Sequence, residues 1–425
     1  MVRREADPQK IQKALSGDVT VFVGSRMTRV CVVAGLSLLL SGCATHRYLS
    51  SDGHRAFESR DYERAAALFA KDASKPGSNQ ILFMLDQSSA HFSGRDYKKA
   101  IPVLLSAADL VAVKDFTSIS EEVGTLATSD NVRAYKGEDF EKVLIHVYLA
   151  LAFAALDQTE SAQVEARRIN ELLYRMISEG RRNYQESPWA RYLSALLWEQ
   201  SGDWNSAYVD YKKTFELEPT FPGLGQDLLA LAARMRFSDD EIKWRKAFPT
   251  EQARKIPKGF GEIVLILETG RSPIKVPRDE NSSLPRFIKR SSFGPELSAR
   301  WGELRLGAPE LVLNVEDLSI RYLEDRISRM AAAKLAGTVA KGALAYGLGR
   351  ATQNEDLGWM AFAVLAATDQ ADLRSWKSLP ARFEMIRMAV PEGTSTLRLE
   401  AGGVVTEIPE LRVRAGKKTF VPLRL

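Results

Sequence analysis

Along the first half of the chain, apolar side chains recur every three to four positions, the spacing of helices that bury one face. Polar breaks separate these stretches, and the breaks themselves recur. Arg60-Asp61-Tyr62-Glu63-Arg64-Ala65 returns as Arg95-Asp96-Tyr97-Lys98-Lys99-Ala100 and again as Gly202-Asp203-Trp204-Asn205-Ser206-Ala207, with Gln158-Thr159-Glu160-Ser161-Ala162 a weaker version. Large residues follow the alanine at helical spacing: Phe69, Leu104 and Tyr211. The pattern predicts paired helices whose alanines and large residues pack inward. The copies are unevenly spaced, which predicts insertions at Val113–Tyr135 and Ser178–Ser187.

Pro249–Pro257 has no apolar period and reads as a connector. Beyond it, Glu262–Leu267 is a short, nearly continuous apolar run bounded by glycines, which predicts a buried strand. Ile274–Val276 is expected to return beside it, with further short strands at Arg286–Lys289 and Leu311–Leu313. From Asp317 to Arg350 the period turns helical, and Leu357–Ala367 is a second apolar helix. Lys334 and Lys341 interrupt the first arm and the second has about 11 apolar residues, short of the ~17–25 a membrane span needs. The pair is therefore expected as a helical hairpin laid on a sheet. Phe383–Val390, Thr394–Leu399 and Thr419–Leu423 alternate as strands. The expected fold is α+β multidomain: a helical array over 47–248, then a β-rich domain over 258–425 with a helical insertion at about 317–376.

The repeats resemble the tetratricopeptide (TPR) motif, a helix–turn–helix unit of about 34 residues. The fit is best where Ala195 and Trp198 fall on one helix, Ala207 and Tyr211 on the next, and Pro219 closes the unit. The resemblance implies a stacked array with a groove suited to a segment of another protein. Pro391-Glu392-Gly393, Leu397-Arg398-Leu399 and Ala415-Gly416-Lys417 resemble the small PEGA-like β modules of bacterial envelope proteins.

Met27-Thr28-Arg29, the apolar run Val30–Leu40 and Leu40-Ser41-Gly42-Cys43 have the order of a secretory signal. The tetrapeptide resembles the bacterial lipobox. That resemblance implies cleavage between Gly42 and Cys43, a diacylglycerol thioether on the Cys43 sulfur and an acyl chain such as palmitate on its amino group. Ala44 stands where an Asp would resemble an inner-membrane retention signal, which implies an outer-membrane anchor facing the periplasm. Residues 1–26 match no signal pattern and are read as an extension or misassigned start, 27–42 as signal peptide and 43–46 as lipidated tether. Cysteines stand only at 31 and 43, so the mature chain has no thiol for a disulfide, a nucleophile or a metal site.

Composition is that of a folded chain, 45% hydrophobic and 27% charged, and the net charge of +5 falls to +2 once the six basic and three acidic residues before Cys43 are removed. That excess gives no reason to expect nucleic acid. None of the four histidines (His46, His54, His91, His146) pairs at i, i+4, and no metal or cofactor is expected. Ser272-Pro273-Ile274-Lys275 matches S-x-x-K by letters, but proline and the β pattern deny it the helical turn that such chemistry needs.

Candidate partner-binding residues are Glu138, Asp139, Glu141 and Lys142 at a helix start, Arg167 and Arg168 opposite, and Arg374 and Trp376, residue types common in interfaces. Lipobox, repeats and β-rich end together resemble a bacterial family of TPR-containing envelope lipoproteins. The resemblance implies a non-enzymatic adaptor working beside neighbouring lipoproteins or the peptidoglycan synthesis machinery. Two other readings stay open: a glycan-acting enzyme using carboxylates of the C-terminal half, and a fixed subunit of a secretion or exopolysaccharide complex.

Overall fold

The computed structural model describes residues 51–121, 134–178, 187–279, 283–290, 297–367 and 371–425. The signal, the lipobox with Gly42 and Cys43, the tether and most of both predicted insertions lie outside them. Among the described residues, ten helices form five consecutive hairpins: α1 (Asp52–Glu58) with α2 (Tyr62–Ala73), α3 (Gln80–Ser93) with α4 (Tyr97–Glu121), α5 (Asp139–Ala155) with α6 (Thr159–Ser178), α7 (Pro188–Ser201) with α8 (Trp204–Leu217), and α9 (Leu224–Met235) with α10 (Ser238–Ala247).

The recurring hexamer is explained by turn chemistry. Its first residue ends one helix in the left-handed region, with φ of 64° at Arg60, 62° at Arg95 and 86° at Gly202. Its aspartate then caps the next helix: Asp61 accepts the Arg64 N–H at 3.2 Å, Asp96 the Lys99 N–H at 3.2 Å and Asp203 the Ser206 N–H at 3.0 Å. Asp157 and Arg236 adopt the same conformation at the remaining two turns, where the letters are less alike. Ala65, Ala100, Ala162 and Ala207 are fully buried, as the small positions between close helices should be. The helical half is thus a TPR-like array, and the fold as a whole is α+β.

Three β groups follow. β10 (Lys418–Arg424), β1 (Phe260–Thr269), β7 (Arg382–Pro391) and β6 (Glu310–Asn314) form one sheet in that order. β5 (Leu304–Arg305), β4 (Leu297–Trp301), β8 (Gly393–Ala401) and β9 (Val404–Val413) form a second. β2 (Ile274–Pro277) pairs only with β3 (Pro285–Ile288), so the expected return strand beside β1 is wrong; β1 is flanked instead by β7 and, in parallel, by β10. The PEGA-like stretch is likewise no separate module. Its strands are shared between two sheets, which places the first strand of the region, β1, between β7 and β10.

β1 has two buried faces, which accounts for its continuous apolar run. Ile263, Leu265 and Leu267 face the second sheet together with Val390, Val421, Trp301 and Leu397. Val264 and Ile266, with Met385, Phe383 and Phe420, join the core of the helices. The layers therefore run helices, sheet, sheet. Residues 249–257 link helices to strands along the chain, and the helical and β-rich parts of this α+β multidomain chain share one core within one compact unit.

The insertion is α11 (Val315–Ala351) and α12 (Glu355–Ala367). Among the described residues α11 touches the body chiefly at β3, β7 and the start of α5, and α12 packs chiefly on α11. The expectation that the hairpin lies on a sheet is corrected. From Ala331 onward most of α11 is exposed.

Candidate functional site

In arrays of this kind the first helix of each hairpin lines the groove. Here that face carries the chain's own sheet. On α7, Tyr192 and Gln200 reach Arg387 of β7 and Lys418 of β10; on α9, Asp227 reaches Arg387; on α3, Asp86 and Ser89 reach Ser378 and Trp376; on α5, Glu138 and Glu141 reach Lys275 and Trp376. The groove expected for a foreign partner is filled from within the chain.

Charge holds this junction at two places. Arg387, 3% exposed, donates to Asp227 at 2.7 Å and bridges both oxygens of Glu262 at about 3 Å. Arg254 approaches Asp227 at 2.6 Å, and Lys418 lies 2.9 Å from Glu262 and 3.0 Å from Glu199. Burial alone raises a carboxyl; at Glu262 the guanidinium of Arg387, then Lys418 and Arg254, outweigh it and hold the group at about 2.

The second place contains most of the sequence-predicted partner residues. Glu138 is buried between Lys275 and Arg326, and their charges overcome the cost of its burial and hold it at about 2. Glu141 is fully buried. Its carboxyl accepts the Trp376 N–H at 2.8 Å, the Glu138 N–H at 2.9 Å and the Tyr135 hydroxyl. Burial, then the neighbouring Glu138 charge, push Glu141 up to about 7 despite those donors. Lys142 is buried and lies 3.5 Å from Asp139, which also accepts the Tyr322 hydroxyl at 2.6 Å.

Arg374 and Trp376, both 1% exposed, form a strap from the hairpin to β7. Arg374 grips Asp372 through two 2.8 Å bonds and reaches Asn79, while the Trp376 indole donates to Ser89 at 2.9 Å. These are interface anchors, but the interface is internal. For Glu138, Glu141, Lys142, Arg374 and Trp376 the partner-binding reading is therefore corrected: their contacts are spent within the chain. Arg167 and Arg168 do remain exposed, the first over the Trp198 ring and the second 3.1 Å from Glu165. The structure does not bring them to the Glu138 cluster.

Two concavities stand out among the described residues. One of about 480 Å³ lies beside α1, lined by Glu58, Arg271, Arg290 and Lys377; Glu58 answers both arginines. The other, about 820 Å³, lies on the distal hairpin and is lined by Tyr346, Arg350, Trp359 and Phe362. On the same hairpin, Leu335, Val339, Leu344, Tyr346, Trp359 and Met360 are each at least half exposed. This surface was missed as a site from the sequence, where its apolar residues are indistinguishable from core. Among the described residues no cluster of His, Cys, Asp or Glu is placed to hold a metal, and no helix is long and apolar enough to cross a membrane.

No family model matches the chain, and no curated protein matches it. Solved structures similar to it include a crystal structure of MamA, at 18% identity and a TM-score of 0.31 over 46% of this chain and 91% of that one. MamA 41-end from Desulfovibrio magneticus RS-1 gives 14%, 0.29, 46% and 87%. A Podosopora anserina kinesin light chain with nearly identical TPR-like repeats gives 10%, 0.30, 50% and 92%. Likeness at this level decides nothing about the chain, whose TPR-like array is read from its own hairpins.

Proposed function

We propose that the protein is a non-enzymatic, lipid-anchored scaffold of the bacterial envelope, held at the outer membrane through Cys43, facing the periplasm and docking protein through the α11–α12 hairpin. One observation carries the docking role: a contiguous apolar surface stands outside a body whose own groove is already filled. Monomeric soluble proteins rarely expose an apolar patch beyond a few hundred Å² unless something binds it. The buried carboxylates Glu138 and Asp227 are held in ion pairs that join helices to strands and Glu262 in pairs within the sheet, which supports a structural use for them over glycosidase chemistry. The address rests on the signal and lipobox; acyl chains contribute ~0.8 kcal/mol per buried CH₂, enough for stable anchoring when two or more are attached. Neighbouring lipoproteins and the peptidoglycan synthesis machinery fit this address as partners.

Radiolabelled palmitate tests it. Label should enter the wild-type chain, and Cys43→Ala should abolish incorporation and remove the protein from the outer-membrane fraction. An unlabelled wild-type product would overturn the anchored reading.

A further inference from the structure

The distal hairpin has the surface of a helix in a bundle, without the bundle. Gly337, Lys341, Ala345 and Gly349 are buried, four apart, and so form one face of α11. Gly358 of α12 sits against this face, where an added Cβ would lie 2.9 Å from the Ala345 carbonyl oxygen and 3.3 Å from the Gly349 Cα. The opposite side of α11 is exposed and is not smooth. Leu335, Val339 and Tyr346 make one ridge and Leu344 and Leu348 another, with exposed Ala336, Ala343 and Gly347 between them. Large ridges flanking a shallow small-residue floor form the relief into which a second helix packs.

Three occupants can be weighed. Lipid fits poorly. The hairpin tip is polar, with Arg350, Glu355 and Asp356 exposed. The run Leu335–Gly349, whose one charged residue is Lys341, would reach only ~22 Å at 1.5 Å per residue, against a hydrocarbon layer of ~30 Å. Burying the charged tip partway would cost about 2.5–3.5 kcal/mol per charge. A flat interfacial helix needs a polar outer face, and this stretch has apolar residues on both flanks. An unrelated partner would leave the tip charges unexplained. A second copy explains them: Arg350 ends α11 and Glu355 and Asp356 begin α12, so hairpins set side by side and parallel bring Arg350 of one level with Glu355 and Asp356 of the next.

We infer that the hairpins of several copies of this chain pack side by side, α12 of one seated between the ridges of α11 of the next. Trp359, 72% exposed, and Met360, 50%, are the side chains α12 presents. Aromatic side chains such as Tyr346 and Trp359 offer roughly 150–250 Å² each, so with the aliphatic ridge residues they supply several hundred Å², the order one partner contributes to a stable interface. Two different faces meet in such a contact, so it is head-to-tail and adds copies one after another. Parallel packing also keeps every tether on one side, as anchors in a common bilayer require. The inference rests on the hairpin being the docking surface, but not on lipid at Cys43.

The test is photo-crosslinking of the full chain in cells with p-benzoylphenylalanine in place of Trp359, and in place of Val209, exposed on α8, as control. Adducts at multiples of the chain mass are expected from position 359 and not from 209, with the crosslinked peptide mapping to α11. Arg350→Glu should reduce them about tenfold, and adding Asp356→Arg should restore them. Adducts from 359 to a different protein alone would overturn self-packing while leaving the hairpin as the docking surface. Adducts to phospholipid alone, or none at all, would overturn both.

Discussion

The helix–sheet junction and the distal hairpin invert one another. The junction is polar and buried: Asp227, Glu138 and Glu141 take partners from the β-rich half, and Arg387, its side chain 3% exposed, pairs both with Asp227 and with Glu262 beside it in the sheet. The hairpin is apolar and exposed: Leu335, Val339, Tyr346 and Trp359 face outward. Burying charge is costly and is tolerated only where geometry satisfies it, and exposing a contiguous apolar surface is costly unless something covers it. The first region has its partner within the chain. The second has room for one outside it. Array grooves are commonly read as binding surfaces, and here the proposed docking surface is the insertion instead.

The largest effect expected from disturbing this contrast is at Arg387. Arg387→Ala removes one partner from each of two buried carboxylates, leaving Asp227 to Arg254 and Glu262 to Lys418, and stability in urea should fall by about 3–5 kcal/mol. Helical and sheet signals should unfold together in a single transition. Two separable transitions would show that the helical and β-rich parts do not depend on this junction for stability.

Glu141 gives the next effect, and its sign differs from its neighbours'. Glu138 and Glu262 are depressed, so the stability they contribute is present above the ordinary carboxylate value of 4.5 and is lost as pH falls toward about 2. Glu141 is raised to about 7. The unfolded chain releases that proton first, so stability should decline as pH rises from about 4.5 to 7, by on the order of 3 kcal/mol. Glu141→Gln should flatten the decline in Tm between pH 5 and 7.5; an unchanged slope would show the proton resides elsewhere.

Gly358→Val should act only on the hairpin. Its new side chain must displace the backbone at Ala345 and Gly349, costing roughly 1–3 kcal/mol locally. Faster proteolysis near 345–360 with the body's Tm unmoved is the expected result. The smallest change is Arg167→Ala, which removes an exposed cation from the Trp198 face and should cost at most about 1 kcal/mol in denaturant titration.

Local features were legible in the sequence because their causes are local. The Asp61, Asp96 and Asp203 caps and the alanines behind them announce helical hairpins, and β1 was evident from its glycine-bounded apolar run. What depends on distant pairing was hidden. β10 lies parallel to β1 although about 150 residues separate them, and no pattern within either strand encodes that register. The same blindness affected the sites: Glu138, Arg374 and Trp376 have the composition of an interface and do form one, but only the fold shows that both sides belong to this chain. The exposed hairpin was misjudged for the converse reason, since apolar periodicity reports what is fit to be buried and not what covers it.

Amide hydrogen exchange on the full chain, measured residue by residue at low and high protein concentration, weighs the two regions most directly. The account predicts that α3, α5, α7 and β1 are slow at both concentrations and exchange through one common opening, while residues 335–362 are fast when dilute and become protected when concentrated. Protection that appears instead along α3, α5 and α7, with 335–362 unchanged, would contradict it.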